Sequence, residues 1–257
     1  IECMKISIFV IQTHVQMLVK TQAIVLRTIK YGDSQLITDL FTQSMGNVSF
    51  IQRMRTGKGG RVGKPYFQPL TILDIEFDER PNKQLQRIKE MRLAYPFSTI
   101  PFNSYKLSIS LFLSEFLYFS VRGEHEVGAL YQYVENSIRW LDSAQGAFAN
   151  FHLVFMMHLT RFIGFYPNLE NWHAGDFFDL RNGVFCSLVP LHPDYIPPDE
   201  AARIGQLMRM NYETMHLFRF SREDRNRCAN LILRYYRLHI PSFPELKSLS
   251  VLQDLFR

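Results

Sequence analysis

Residues 17–54 read MLVKTQAIVLRTIKYGDSQLITDLFTQSMGNVSFIQRM, and the spacing of apolar residues in this stretch decides the fold. Lys20, Gln22 and Ile24 fall on one side of an extended chain, and Val19, Thr21, Ala23 and Val25 fall on the other. That two-residue period predicts a half-buried strand. The turn formers Tyr31-Gly32-Asp33-Ser34 follow, then the β-formers from Leu36 to Phe41, then the breaker Ser44-Met45-Gly46-Asn47, then Val48 to Ile51. Two successive hairpins are expected. Alternation returns at Leu70 to Phe77 (LTILDIEF), and a weaker fifth candidate covers Leu85 to Leu93 behind Arg80-Pro81-Asn82.

Five short strands in about 80 residues fit an oligonucleotide-binding (OB) barrel, a fold whose loops and one strand face hold single-stranded nucleic acid. Between its third and fourth strands lies RMRTGKGGRVGK, from Arg53 to Lys64, with five Lys or Arg, four Gly and no acidic residue. Glycine lets the backbone approach a ligand, and guanidinium and ammonium groups donate charge-assisted hydrogen bonds to phosphate oxygens. The composition suits a polyanion; the plainer alternative is a solvated hairpin loop that happens to be basic. Residues 17–82 carry nine Lys or Arg against six Asp or Glu, so the positive charge is concentrated in the loop rather than spread over the chain. The candidate phosphate contacts are Arg53, Arg55, Lys58, Arg61 and Lys64, supported by Lys20, Arg27 and Lys30 on or beside the first strand. Tyr66 and Phe67, next to the loop, are the candidates for stacking on bases.

Beyond Tyr95-Pro96 the period changes. Helical patterns are expected at Ser104 to Val121, with Leu107, Leu111, Phe112, Ser114, Glu115 and Tyr118 on its apolar face, and at Val127 to Leu141. They recur at Ala147 to Phe165, Asp199 to Met210 and Arg222 to Leu238, with a last short helix after Pro244. The fold class is therefore α+β: an OB domain at residues 17–96 followed by an α-helical domain at residues 97–257. Phe112, Phe116, Phe119, Phe148, Phe151, Phe155 and Phe162 fall at helical spacing and are read as core. Residues 1–16 precede the barrel pattern and are read as an amino-terminal extension or a cloning remnant.

Several chemistries lack their residues. Gly63-Lys64 is followed by Pro65, where a nucleotide-hydrolysing loop needs Ser or Thr, so no NTPase activity is expected. His152 and His158 are six apart, without the i, i+4 pair and intervening Glu of a zinc hydrolase, and no acidic cluster suggests a two-metal nuclease. Cys3, Cys186 and Cys228 lie far apart and form no disulfide framework, which suggests a reducing compartment. The most apolar run, Phe148 to Phe165, is interrupted by Asn150, His152, His158, Thr160 and Arg161, and a soluble cytoplasmic protein is expected.

The segments TQAIVLRTIKYGDSQLITD (Thr21 to Asp39), MGNVSFIQRM, the basic loop and FQPLTILDIEF together resemble the amino-terminal OB domain of the bacterial recombination mediator RecO family. LRYYRLHIPSFPELKSLSVLQDLF, from Leu233 to Phe256, resembles that family's carboxy-terminal helices, so the resemblance covers nearly the whole chain from Met17. It implies a non-catalytic protein of the bacterial cytoplasm and nucleoid. Such a protein binds single- and double-stranded DNA, anneals complementary strands, contacts the acidic tail of the single-stranded-DNA-binding protein SSB, and acts with RecR to help RecA load. No cofactor is implied for that work. Many RecO-like chains carry a four-cysteine zinc module after the long central helix; here the matching stretch, Gly164 to Leu188, keeps only Cys186. Tyr166, Leu169, Trp172, Phe177, Phe178 and Phe185 are expected to form an aromatic and aliphatic subcore in its place, without zinc.

Six arginines, at positions 219, 222, 225, 227, 234 and 237, crowd the start and length of the penultimate helix and cannot share one face, so some must pair internally. Arg234 and Arg237, three apart, are the candidate ridge for duplex DNA or RecR. Arg161, with Arg139 on the preceding helix, is the candidate partner for the carboxylates of the SSB tail. The rival readings are an OB-containing RNA-binding factor and a nucleic-acid-modifying enzyme with a dispersed active site.

Overall fold

The computed structural model describes residues 17–53, 64–124, 127–170 and 172–255. Strand β1 (Leu18–Tyr31) pairs antiparallel with β2 (Gln35–Thr42) and with β4 (Ile72–Asp78), and β2 pairs with β3 (Gly46–Arg53). The expected fifth strand is one bent stretch. Its first part, β5 (Leu85–Gln86), runs parallel to β3, and its second, β6 (Ile88–Tyr95), runs antiparallel to β4. Because Arg87 alone separates the two, the same stretch joins both edges of the sheet and closes it into a curled OB-like barrel. Gln52 of β3 reinforces the closure by donating Nε2 to the Ile88 carbonyl at 3.3 Å.

The register of β1 skips a residue between Val25 and Arg27, so Leu26 is the extra residue of a bulge. The strand pairs with β4 over Leu18 to Ile24 and with β2 over Ala23 to Tyr31, and the bulge bends it from one half of the barrel to the other. Ala23 and Val25 join Leu40, Phe50, Leu73, Ile75 and Phe77 inside the barrel, where Phe50 and Phe77 meet edge to face at 5.0 Å. Ile24 and Leu26 face outward with Phe41, Leu70 and Ile72, into a second and larger core shared with the helices. The half-buried strand expected from alternation is therefore buried on both faces at its centre. The helices cover the face that carries Ile24 and Leu26.

The helices are α1 (Ser104–Ser120), α2 (Val127–Ser143), α3 (Phe151–Leu159), α4 (Pro198–Arg209), α5 (Arg222–His239) and α6 (Ser248–Leu255). Asn103 starts α1 by accepting from the backbone N–H groups of Tyr105 and Lys106, and Ser221 with Asp224 forms a capping box on α5. The buried stripe of α1 is Ile109, Phe112, Leu113, Phe116 and Leu117, while Leu107 and Leu111 are exposed. Of the expected face Phe112 and Ser114 are buried and Glu115 and Tyr118 half-buried, and only Leu107 and Leu111 turn outward, because α1 packs on the barrel and on α6. Helix α3 is shorter than the apolar pattern from 147 to 165, since Ala147 takes a left-handed φ of 61° before it and the chain turns after Leu159. Phe112, Phe116, Phe151 and Phe155 are buried as expected, whereas Phe162 is exposed.

The last helix begins at Ser248 because a neighbour supplies its missing hydrogen-bond partner. The Glu115 carboxylate of α1 accepts from the Lys247 and Ser248 backbone N–H groups and from the Ser248 hydroxyl. Gly46, at φ 69°, lets the β2–β3 turn sit against the start of α2, where a Cβ would come within 3.2 Å of Val127 Cγ1.

Between α3 and α4 lies a small sheet of β7 (Phe177–Asp179), β8 (Val184–Cys186) and β9 (Tyr195–Ile196), in the order β8-β7-β9. Phe178 and Phe185 are buried with their rings 4.9 Å apart, Tyr235 of α5 packs on Phe178, and Trp172 lies at the edge against Phe185. Tyr166 and Leu169 pack against the helical core, and Phe177 contacts Tyr195. The donor set does not suit zinc. Cys186 directs its thiol at the Phe177 carbonyl, 3.8 Å away, and among the described residues no three His, Cys, Asp or Glu side chains converge.

Candidate nucleic-acid interface

The pairing Tyr31 with Gln35, and Gln35 with Arg53, places the end of β1, the start of β2 and the end of β3 side by side. The basic loop therefore departs, at Arg53, two strands from the end of β1, about 10 Å at ordinary strand spacing. It returns at Lys64, the first residue of a short 3-10 turn ending at Phe67, whose carbonyl lies 3.5 Å from the Thr28 hydroxyl of β1. Both feet of the loop stand beside the second half of β1. Arg27, Lys30 and Arg53 are exposed there. Arg55, Lys58 and Arg61 lie outside the described residues, as does the side chain of Lys64.

Lys20 is elsewhere. It stands ten residues before Lys30, about 30 Å along the strand, and its ammonium is 2.7 Å from Glu76 on β4. The groove around it, about 450 Å³, is also lined by Asp74, Glu90 and Arg92, and Asp74 accepts from both Gln22 and Arg92. In this groove the acidic side chains Asp74, Glu76 and Glu90 outnumber the basic Lys20 and Arg92.

Tyr66 is half-buried against the barrel core and Phe67 is buried, so the ring of Phe67 is spent on packing and does not offer a face to a base. Arg27 lies over the ring of Tyr118 from α1, 5.1 Å from its centroid, and donates Nη1 to the Tyr118 hydroxyl at 3.1 Å. Sequence reasoning missed Arg122, whose guanidinium lies 5.3 Å from the same centroid. Its signal is weak: a single arginine before Gly123 at the end of a helix.

On α5 the arginines divide as their spacing requires. Arg222 donates to the Gln253 carbonyl, Arg225 to the Phe220 carbonyl, and Arg234 to the Pro193 carbonyl at 2.9 Å, with Asp194 3.6 Å away. Arg237 is exposed and makes no ion pair among the described residues. Arg139 is tied to Glu135 at 2.6 Å and stacks on Tyr95, while Arg161, beyond the end of α3, stacks on Tyr166 at 4.3 Å. Each of these two is thus held by its own aromatic partner.

A family model described as Recombination protein O N terminal matches residues 17–97, and one described as Recombination protein O C terminal matches residues 102–250. The chain belongs to the RecO family. It is 52% identical over 241 residues to the DNA repair protein RecO of Bacteroides fragilis, covering 93% of this chain and all of that protein. The protein of the same name from Phocaeicola vulgatus is 51% identical over 240 residues, and that from Porphyromonas gingivalis 34% over 246, each across 93% of this chain and the whole of the relative. This RecO-family chain thus matches DNA repair proteins of recombination across barrel and helices alike.

The barrel of this RecO-family chain is fixed to its helical part by a buried polar cluster around Asp142, at the end of α2. Its carboxylate accepts from the backbone N–H groups of Ser98, Thr99 and Ile100, all at 2.9 Å, and from the Ser98 and Tyr95 hydroxyls. Burial alone would raise the Asp142 pKa, but these donors hold it down at about 2. The stretch they come from joins β6 to α1, so this carboxylate adds to the apolar core that Ile24, Leu26 and Phe41 share with the helices in holding the two parts together. No helix among the described residues is long and apolar enough to cross a membrane.

Proposed function

We propose that this chain is a non-catalytic recombination mediator that binds DNA strands by their phosphates, anneals complementary strands, and works with RecR and SSB to help RecA load. The observation that carries the reading is the convergence of both feet of the basic loop with Arg27, Lys30 and Arg53 at one end of the barrel. Annealing needs two phosphate backbones screened and aligned, and no bond to either strand is made or broken. A cationic barrel end with a glycine-rich loop is physically sufficient for that. Phosphates carry little sequence information, so binding is tolerant of sequence and weakens steeply with salt.

The test mixes complementary labelled oligonucleotides with the protein in EDTA and without ATP. Faster annealing than the spontaneous rate is expected, together with binding that falls as salt rises. A requirement for magnesium or ATP would replace the mediator with an enzyme, and a strong preference for RNA over matched DNA would replace it with an RNA-binding factor. Contact with RecR and with the SSB tail is read the same way, by titrating each against the whole protein.

A further inference from the structure

Tyr118 stands on the last turn of α1, where the helices meet the barrel, and two guanidinium groups share its ring. Arg27 reaches it from β1 and Arg122 from just past the end of α1, at 5.1 Å and 5.3 Å from the ring centroid. The two guanidinium carbons are therefore no farther apart than the sum of these distances, about 10 Å. Both arginines are exposed, and among the described residues neither makes an ion pair. The carboxylate that lines the adjoining hollow, Asp39, is itself buried and accepts the Ser49 hydroxyl.

Asp39 stands opposite Arg27 in the β1–β2 register, but it is buried against the Ser49 hydroxyl and pairs with neither arginine, so two like charges that repel each other are kept on one ring with no ion pair among the described residues, an arrangement suited to an incoming anion. The ring and its hydroxyl hold the Arg27 guanidinium through Nη1, and a guanidinium held this way keeps further N–H donors for a phosphate. Favourable placement of a cation at a helix C-terminus accounts for Arg122 alone, but not for Arg27 arriving at the same ring from another part of the chain.

We infer that Arg27, Tyr118 and Arg122 form a phosphate clamp across the junction of barrel and helices, carrying the DNA path from the loop end of the barrel onto the end of α1. The inference rests on the DNA-binding reading above and deepens it by adding two residues of the helical part to the contact surface.

The test titrates a fluorescent single-stranded oligonucleotide against the whole protein, Arg122→Ala, Arg122→Glu and Tyr118→Leu, with Arg55, Lys58 and Arg61 changed together to Ala as a control on the reading itself. Arg122→Ala is expected to weaken binding about fivefold at low salt and to reduce the slope of log affinity against log salt by about 0.7, the value for one lost single-strand phosphate contact. Arg122→Glu weakens it further, and Tyr118→Leu weakens it by releasing both forks. Thermal unfolding is measured for each variant. A lowered melting temperature for the Arg122 variants with unchanged DNA affinity and slope makes Arg122 a helix-end residue and overturns the clamp. In that case weakened binding by the loop variant leaves the DNA-binding reading standing. Failure of the unaltered protein to bind the oligonucleotide overturns both.

Discussion

Lys106 and Asp142 are both buried within one polar cluster, yet the ammonium does not touch the carboxylate; Thr99 stands between them. Lys106 Nζ donates to the Thr99 hydroxyl at 2.6 Å and to the carbonyls of Asp142 and Ala144, while Thr99 Oγ1 lies 3.3 Å from Asp142 Oδ1. Burial lowers the Lys106 pKa, and the nearby Asp142 charge opposes that shift. The arrangement satisfies every donor of the lysine and ties the end of α2 to the turn that leaves the barrel. A buried charge kept this way contributes to a unique orientation of barrel and helices, at the cost of desolvating two ions.

The first prediction concerns pH. The Asp142 carboxyl is depressed in the folded protein, from 3.8 to about 2, so its contribution is fully present above the unfolded value and is lost as pH falls through the folded one. That contribution is about 2 kcal/mol at neutral pH and disappears between about pH 4 and pH 2. Urea unfolding at pH 7 and pH 3 should show Asp142→Asn much less stable than the unaltered protein at pH 7, and the gap should narrow at pH 3. An equal gap at both values would remove the carboxylate charge as the cause.

A second prediction separates the two ends of the barrel. Changing Arg55, Lys58 and Arg61 together to Ala should weaken single-strand binding by at least tenfold at low salt and lower the salt slope by about 2. Lys20→Ala should leave both nearly unchanged, because its ammonium is already paired with Glu76 and an exposed pair of this kind is worth about 0–1 kcal/mol. Equal losses from both changes would place Lys20 on the DNA path and make the separation along β1 irrelevant.

What the sequence makes legible is what depends on neighbours in the chain. The strands follow from alternation at Leu18 to Thr42, and the basic loop from its own composition, since both signals are local. The double burial of Ile24 and Leu26 is not local, for it depends on helices that begin nearly 80 residues later. The same holds for the outward turn of Leu107 and Leu111 and for the loss of Phe67 to the core. Lys20 reads as an open cation until the register brings Glu76 across from it. Arg122 stays silent because its meaning lies in a ring it shares with Arg27, whose own bond to Tyr118 spans 91 residues.

A third prediction is that purified protein holds no stoichiometric zinc. Burial raises the Cys186 pKa, and the neighbouring Asp179 and Asp176 raise it further, so the thiolate that a metal requires is disfavoured. Metal analysis should find well under one zinc per chain, and Cys186→Ser should unfold within about 1 kcal/mol of the unaltered protein. Retention of one tightly held zinc after chelation would contradict the packing role given to Phe178 and Phe185.

The last prediction concerns the acidic tail of SSB. A peptide of that kind needs an apolar groove for its aromatic end and a cation for its carboxylates. Arg161 is exposed beyond α3 with its guanidinium held over Tyr166, so it is oriented, and it makes no ion pair among the described residues. Arg139 differs, because Glu135 already engages it at 2.6 Å. Removing the charge of Arg161 should therefore matter more than removing that of Arg139. Titration of a labelled tail peptide should show Arg161→Glu weakened by about tenfold or more and Arg139→Ala by about threefold or less, the difference expected between an available charge-assisted contact and one already paired. Equal binding by the unaltered protein and Arg161→Glu would exclude Arg161 from the contact. Absence of binding by the unaltered protein would remove the tail as a partner.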